Sequence, residues 1–440
     1  MINSPTLRVA TSALVDKFGR TAVTFFVGIL LIRSLGPEFY GIYGLYVTYY
    51  SILLMIGLFG QNSRLLSKIN ASEPELASRE VSVSIFMCSG INIILIMAII
   101  YWYHQSESSI SVWVITLACV ALSLRILELP IYQLEALQKN AGVTLYRFIC
   151  FLVFSLFRVI ILYYFNDEVL LTYLLITLVL ENIISFIVPF IVFTRLNYRL
   201  ILNFGSLCDD RTLKSCKESM YLFFSSVSVI LYMKVDIIIL DMFVSKDSIG
   251  QYIAMTKLAE LSYFPITIFI MTISPILVFY IKNSDLKRAN DTMRLMFIIV
   301  YLYCCLLIIS TVFFSDWISA SLLGYEFQEV GGLWKIYAFC SFAVAVGLIS
   351  SRAIVSYDLS HYLLRRSCFG LVANVLLNLL LIPKFGTEGA AIGTLCSFSL
   401  AIFGSVIISK KLYNLYGFNL IKVKTNQSFF KIITDWRIGI

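Results

Sequence analysis

KVDIIILDMFVSKDSIGQYIAMTKLAE, Lys234 to Glu260, decides how this chain is to be read. An apolar run ends in a short polar turn, and Gly-x-Tyr then opens the next apolar run. A fainter copy lies in the first fifth of the sequence. Setting Gly250 on Gly41 puts Tyr252 on Tyr43 and Val244 on Leu35, a shift of 209 residues in a chain of 440. Two hydrophobic halves built on one plan point to a transporter rather than an enzyme.

Outside this stretch the composition has the same character: 59% hydrophobic and 14% charged, with mean hydropathy +0.88. Soluble domains carry about 25% charged residues, so the chain belongs in lipid. Apolar runs of span length, roughly 20 residues, follow one another from Ala13 to Leu412. We expect about twelve, near 12–33, 42–61, 81–103, 111–130, 143–165, 169–194, 219–243, 250–281, 293–315, 333–355, 367–383 and 389–412. The first carries Asp16, Lys17 and Arg20 with no cleavage pattern after it, so it reads as a retained span.

The net charge of +8 would suit nucleic acid, but its placement argues against such a partner. Basic residues collect in alternate connections: Arg64, Lys68 and Arg79; Lys139; Arg195 to Lys217; Lys282, Lys287 and Arg288; Arg365 and Arg366; and the tail. The intervening connections are nearly bare, which places both termini in the cytoplasm by the positive-inside rule. The expected fold is an all-α polytopic membrane protein with two parallel six-helix halves. Residues 1–194 and 219–412 form the halves, 195–218 a cytoplasmic linker and 413–440 a cytoplasmic tail. No connection is long enough for a soluble catalytic module. The largest outward one runs from Asp316 to Gly332.

Ionisable groups within spans are costly unless paired or facing water, so each is a candidate site residue. The bases Arg20, Arg125, Arg147, Arg158, Lys234, Lys257 and Arg352 form a candidate substrate-binding set; the acids Glu181, Asp236 and Asp241 are candidates for ion coupling. Asp16–Arg20, Arg125–Glu128 and Lys257–Glu260 are spaced to close on one helix face, so each either neutralises itself or faces a lumen. Arg147 and Arg352 lie near span ends, where they either snorkel or point inward. Arg158 has no acid within a turn, Lys234 lies mid-span with Asp241 two turns away, and Glu181 stands alone among apolar residues. A surplus of bases suits an anionic head group, because Arg forks onto phosphate oxygens and Lys adds a point charge. An isolated carboxyl in lipid suits proton or ion exchange.

Other chemistries find little support. The two histidines, His104 and His361, fall in expected loops, and no metal site, catalytic constellation or cofactor is expected. The phosphate-loop pattern G-x-x-x-x-G-K-[ST] is missing, so ATP is not the expected driver. The ten cysteines are scattered through apolar runs without a C-x-x-C pair and read as small packing residues. Tyr is dense at Tyr40–Tyr50 and at Tyr163–Tyr164, mostly as interfacial belt.

Three motifs carry a resemblance. RSLGPEFYGIY at Arg33–Tyr43 resembles the turn after the first span of the polysaccharide (O-antigen) flippase family, Wzx-type. Lys234–Glu260, with Pro265 and Pro275 after it, resembles its seventh and eighth spans, and NLLLIPKFGTEGAAIGT at Asn378–Thr394 its last turn. The resemblance implies membership of the multidrug/oligosaccharidyl-lipid/polysaccharide exporter superfamily, with two six-helix bundles around a central cavity and alternating access. It implies a bacterial inner-membrane protein that moves a polyprenyl-pyrophosphate-linked oligosaccharide outward, in company with polysaccharide polymerase and chain-length proteins. A cationic lumen, also implied, would correspond here to Arg158, Lys234 and the other in-span bases. Arg33, Gly36, Pro37 and Gly41 match the turn signature as structural positions. A drug or metabolite exporter of the same superfamily is the alternative; a membrane-bound polymerase or ligase is disfavoured by the short loops.

Overall fold

Residues 4–68, 74–105, 112–136, 141–165, 167–195, 210–357, 359 and 361–408 are described by a computed structural model. Among them there are helices and short connections only. In order these are α1 (Ser4–Gly57), α2 (Gln61–Lys68), α3 (Pro74–Gln105), α4 (Val112–Leu124), α5 (Leu129–Ala136), α6 (Ala141–Tyr164) and α7 (Asp167–Arg195). The second half has α8 (Asp210–Phe243), α9 (Lys246–Lys282), α10 (Leu286–Leu323), α11 (Glu329–Tyr337), α12 (Cys340–Ser356) and α13 (His361–Ile408).

Backbone groups in hydrocarbon must be satisfied internally, so apolar runs of this length become helices. Nine helices among the described residues are long and apolar enough to cross a membrane, or ten if α11 and α12, bent by 44°, form one broken span. The expected twelve are therefore not counted directly. As one rod, α1 with its 54 residues would measure about 80 Å, against a hydrocarbon core of about 30 Å. It is broken at Gly36 (φ 67°, ψ 172°), just before Pro37. The 48-residue α13 is broken likewise at Gly386 (φ 55°, ψ −130°), three residues after Pro383.

The break in α1 has its counterpart in the second half. A shift of 209 residues carries Gly36 onto Ser245, where α8 gives way to α9. Ser245 caps α9, its hydroxyl accepting from the Ser248 amide at 3.3 Å. Where the second copy uses a cap, the first uses a glycine in a conformation that side chains resist. Gly36→Ala is expected to cost about 1–3 kcal/mol, seen as a lower melting temperature of the purified protein.

Several boundaries move. The connection expected at 195–218 is helical from Asp210 onward, while 196–209 and the tail 413–440 lie outside the described residues. The outward connection at Asp316–Gly332 is mostly ordered: α10 runs to Leu323, a 3-10 turn covers Tyr325–Phe327, and α11 starts at Glu329. Tyr40, Tyr43 and Tyr50 are buried, so they are core and not belt. Tyr163 and Tyr164 are exposed at a helix end, as expected of belt residues, and so are Tyr101, Trp102, Trp113, Trp317 and Tyr325 near other helix ends.

The largest core forms around the two copies of the repeat. Leu31, Ile32, Leu35, Tyr40 and Tyr43 of α1 pack with Leu240 of α8 and Ile249, Tyr252 and Ile253 of α9. α1 lies along α9, α8 along α13, α4 along α7, and α6 against both α1 and α7. At the other end α2 touches α8. Arg64 of α2, which the charge pattern assigns to a loop, is 1% exposed. It ion-pairs with Glu80 and hydrogen-bonds Gln61 (2.8 Å) and Ser84 (2.9 Å).

Candidate functional site

The in-span charges fall into two groups. In the first half, the buried Arg158 of α6 ion-pairs with Glu181 of α7. Glu181 is therefore not the lone carboxyl its apolar surroundings suggest; its partner lies on the neighbouring helix, 23 residues back. Arg147 likewise does not snorkel: it donates to Glu128 at 3.1 Å. Arg125 stands 3.6 Å from the same carboxylate, because a 3-10 turn over Arg125–Glu128 interrupts the helix between α4 and α5. Two guanidiniums thus share Glu128, and Glu135 of α5 also acts on Arg147, so the cluster balances two bases with two acids. Arg20 closes on Asp16 at 2.6 Å, as its spacing allows, and lies 4.9 Å over the Phe151 ring.

The second half leaves its charges less evenly matched. Lys257 pairs with Glu260 at 3.1 Å, both at least a third exposed. Asp241 ion-pairs with Lys246 and accepts from the Tyr49 hydroxyl of α1 at 3.1 Å, so it joins α1 to α8. Lys234 and Arg352 form no direct ion pair among the described residues; Lys234 is half-buried, within electrostatic reach of Asp236 and Glu260, and Arg352 is exposed.

Asp236, two residues beyond Lys234, is 4% exposed. It accepts hydrogen bonds from the Tyr252 hydroxyl (2.6 Å), its neighbour's amide at Ile237 (2.9 Å) and the Thr394 hydroxyl (3.3 Å). It has no direct ion pair among the described residues, and Lys234 acts on it at a distance. Asn378 of α13 lies beside Gly393, the residue before Thr394, where an added methyl would sit 3.2 Å from its carboxamide carbon. The Asn378 side-chain oxygen is buried without a donor, while its amide donates to Asn374. The buried carboxylate of Asp236 is held by three donors and has no direct salt bridge, so one proton or one small monovalent cation is the charge it could still take up.

Among the described residues no three His, Cys, Asp or Glu gather to hold a metal ion. A cavity of about 550 Å³ opens where α8 meets α9, lined by Ser248, Asp316, Gln328, Glu329, Thr387 and Glu388 among others. It is acidic, and none of the ten candidate residues lines it. Residue types alone miss Tyr252, Thr394 and Asn378, since none of these is ionised at neutral pH. Each nevertheless lies inside one of the three quoted motifs, and that was the available signal.

The family description "polysaccharide biosynthesis protein" matches residues 17–280, more than half of the chain. No curated protein sequence matches it. Among solved structures, a lipid II flippase, MurJ, in an inward closed conformation is similar with TM-score 0.68 and 13% identity, over 96% of this chain and 95% of that one. An inward-facing multidrug-resistance MATE transporter of the MOP superfamily is similar at 0.66 and 13%, over 90% and 96%. A MOP-superfamily transporter from Pyrococcus furiosus is similar at 0.60 and 11%, over 93% and 95%. At these identities the likeness shows the fold, which is that of MOP-superfamily transporters.

Proposed function

The chain belongs to the polysaccharide biosynthesis protein family, and from that premise we propose that it flips a polyprenyl-pyrophosphate-linked oligosaccharide across the bacterial inner membrane. Twelve spans, obtained by splitting α1 and α13 at their glycines and joining α11 to α12, form two six-helix halves, 1–194 and 219–412. Both termini are cytoplasmic. The halves rock about a central site while the lipid tail stays in the bilayer, and the repeat unit goes to O-antigen or another surface polysaccharide. Polymerase and chain-length proteins take it from there.

Lys234 is the observation that carries this reading: a half-buried in-span cation that forms no direct ion pair among the described residues, with Asp236 and Glu260 acting on it only at a distance. A pyrophosphate would give it a direct anionic partner. Arg352 adds to the field, whereas Arg20, Arg125, Arg147, Arg158 and Lys257 already have carboxylates beside them. Of the ion-coupling candidates, Glu181 and Asp241 are each held by a base, which leaves Asp236 for a proton or sodium ion.

The test is a deletion strain in which polyprenyl-linked repeat units are quantified on each side of the inner membrane. Accumulation on the cytoplasmic side with loss of surface polymer is the expected result; full-length polymer without accumulation would favour the exporter reading. Lys234→Ala, returned to that strain, is expected to lower surface polymer about tenfold, the worth of about 1.4 kcal/mol. Lys234→Arg, which keeps the charge, should retain most of it.

A further inference from the structure

Gly41 and Gly250 occupy the same place in the two copies of the repeat, and the structure brings them together. The contact is reciprocal. A methyl group added at 250 would lie 2.7 Å from the carbonyl carbon of Pro37, four residues before Gly41, and 3.1 Å from the Gly41 amide. One added at 41 would lie 3.0 Å from the carbonyl carbon of Lys246, four residues before Gly250, and 2.9 Å from the Gly250 amide. Only backbone stands in the way, so no side chain can turn aside. Residue i meeting j−4 while j meets i−4 is the signature of a two-fold axis, which here passes between the two glycines.

Lipid offers little hydrophobic drive for helices to associate, so close backbone approach through small residues is what holds them. Next to the crossing, Arg33 of α1 donates to the Ser321 carbonyl of α10, and Gln251 of α9 to the Glu326 carbonyl at 2.8 Å. At the opposite end the halves meet through Gln61 and Ser219, at 3.0 Å, and through the Phe59 and Phe223 rings.

We propose that the Gly41–Gly250 crossing is a backbone-to-backbone seal on the symmetry axis, closing one mouth of the molecule and parting each time the halves rock. The absence of a side chain at both positions sets the balance between the two access states. In the orientation proposed above, the mouth it closes is the outer one. The inference rests on alternating access but not on the identity of the cargo.

Two cysteine pairs test it, on a background with the ten native cysteines replaced. Arg33→Cys with Ser321→Cys reports the sealed mouth, and Gln61→Cys with Ser219→Cys the opposite end; each is joined by a short bifunctional thiol reagent. Gly250→Ala is expected to lower cross-linking of the first pair about tenfold while the second pair is retained. Gly28→Ala, whose methyl meets nothing within 4 Å, should change neither. An unchanged first pair in Gly250→Ala would mean a fixed pivot and overturn the proposal. If Gly250→Ala fails to fold, both pairs are lost, and the first pair locked with both glycines intact decides instead. Locking should stop transport until the link is reduced, and transport that continues would overturn the seal. A deletion strain with unchanged surface polymer would instead count against the flippase reading and leave the cross-linking result standing.

Discussion

Arg158→Ala is expected to destabilise the protein by about 3–5 kcal/mol, because it strands a carboxylate in the first half without its partner. Glu181 keeps 16% of its side chain exposed and is held by its ion pair with Arg158. Removing both partners should recover most of the loss, since a buried pair costs much of what it returns. Thermal unfolding of the wild type, the two single variants and the double variant gives the coupling directly. The same series separates two roles for Arg158. A stable Arg158→Ala protein that no longer supports surface polymer would place Arg158 at the substrate. An unstable one rescued by Glu181→Ala would place it in the scaffold, the role its pairing favours.

Asp236→Asn is expected to leave the fold intact and abolish gradient-driven transport. The carboxamide oxygen still accepts from Tyr252 and Thr394, whose hydroxyls lie 2.6 and 3.3 Å from the native carboxylate. What is lost is the negative charge that draws a proton or sodium ion, together with the acceptor for the Ile237 amide. Flux measured with and without an imposed gradient, at matched protein level and melting temperature, reads this out. Gradient-stimulated flux in Asp236→Asn would move the coupling site elsewhere. Glu181 and Asp241 would then have to give up their bases during the cycle.

Tyr252 connects this site to the lobe contact. Its hydroxyl holds Asp236, and its backbone lies two residues past Gly250 on α9. A change of charge at Asp236 therefore acts on the helix that carries the glycine crossing.

Local properties of the chain determined the membrane class, the alternation of basic and bare connections, the repeat, and the two breaks at Gly36 and Ser245. Apolar runs in lipid have no alternative to helix. A φ of 67° before a proline is a glycine position wherever it occurs. Charge pairing was legible only within a turn, as for Asp16–Arg20 and Lys257–Glu260. Tertiary structure alone decided that Glu181 belongs to Arg158, that Arg147 shares Glu128 with Arg125, and that Arg64 is core. It alone also took Tyr40, Tyr43 and Tyr50 away from the interface. The physical reason is common to all of these. A helix that is apolar on every side carries no periodic signal of which face meets protein and which meets lipid. The rotation that brings a charge to its partner is therefore set by the neighbouring helices.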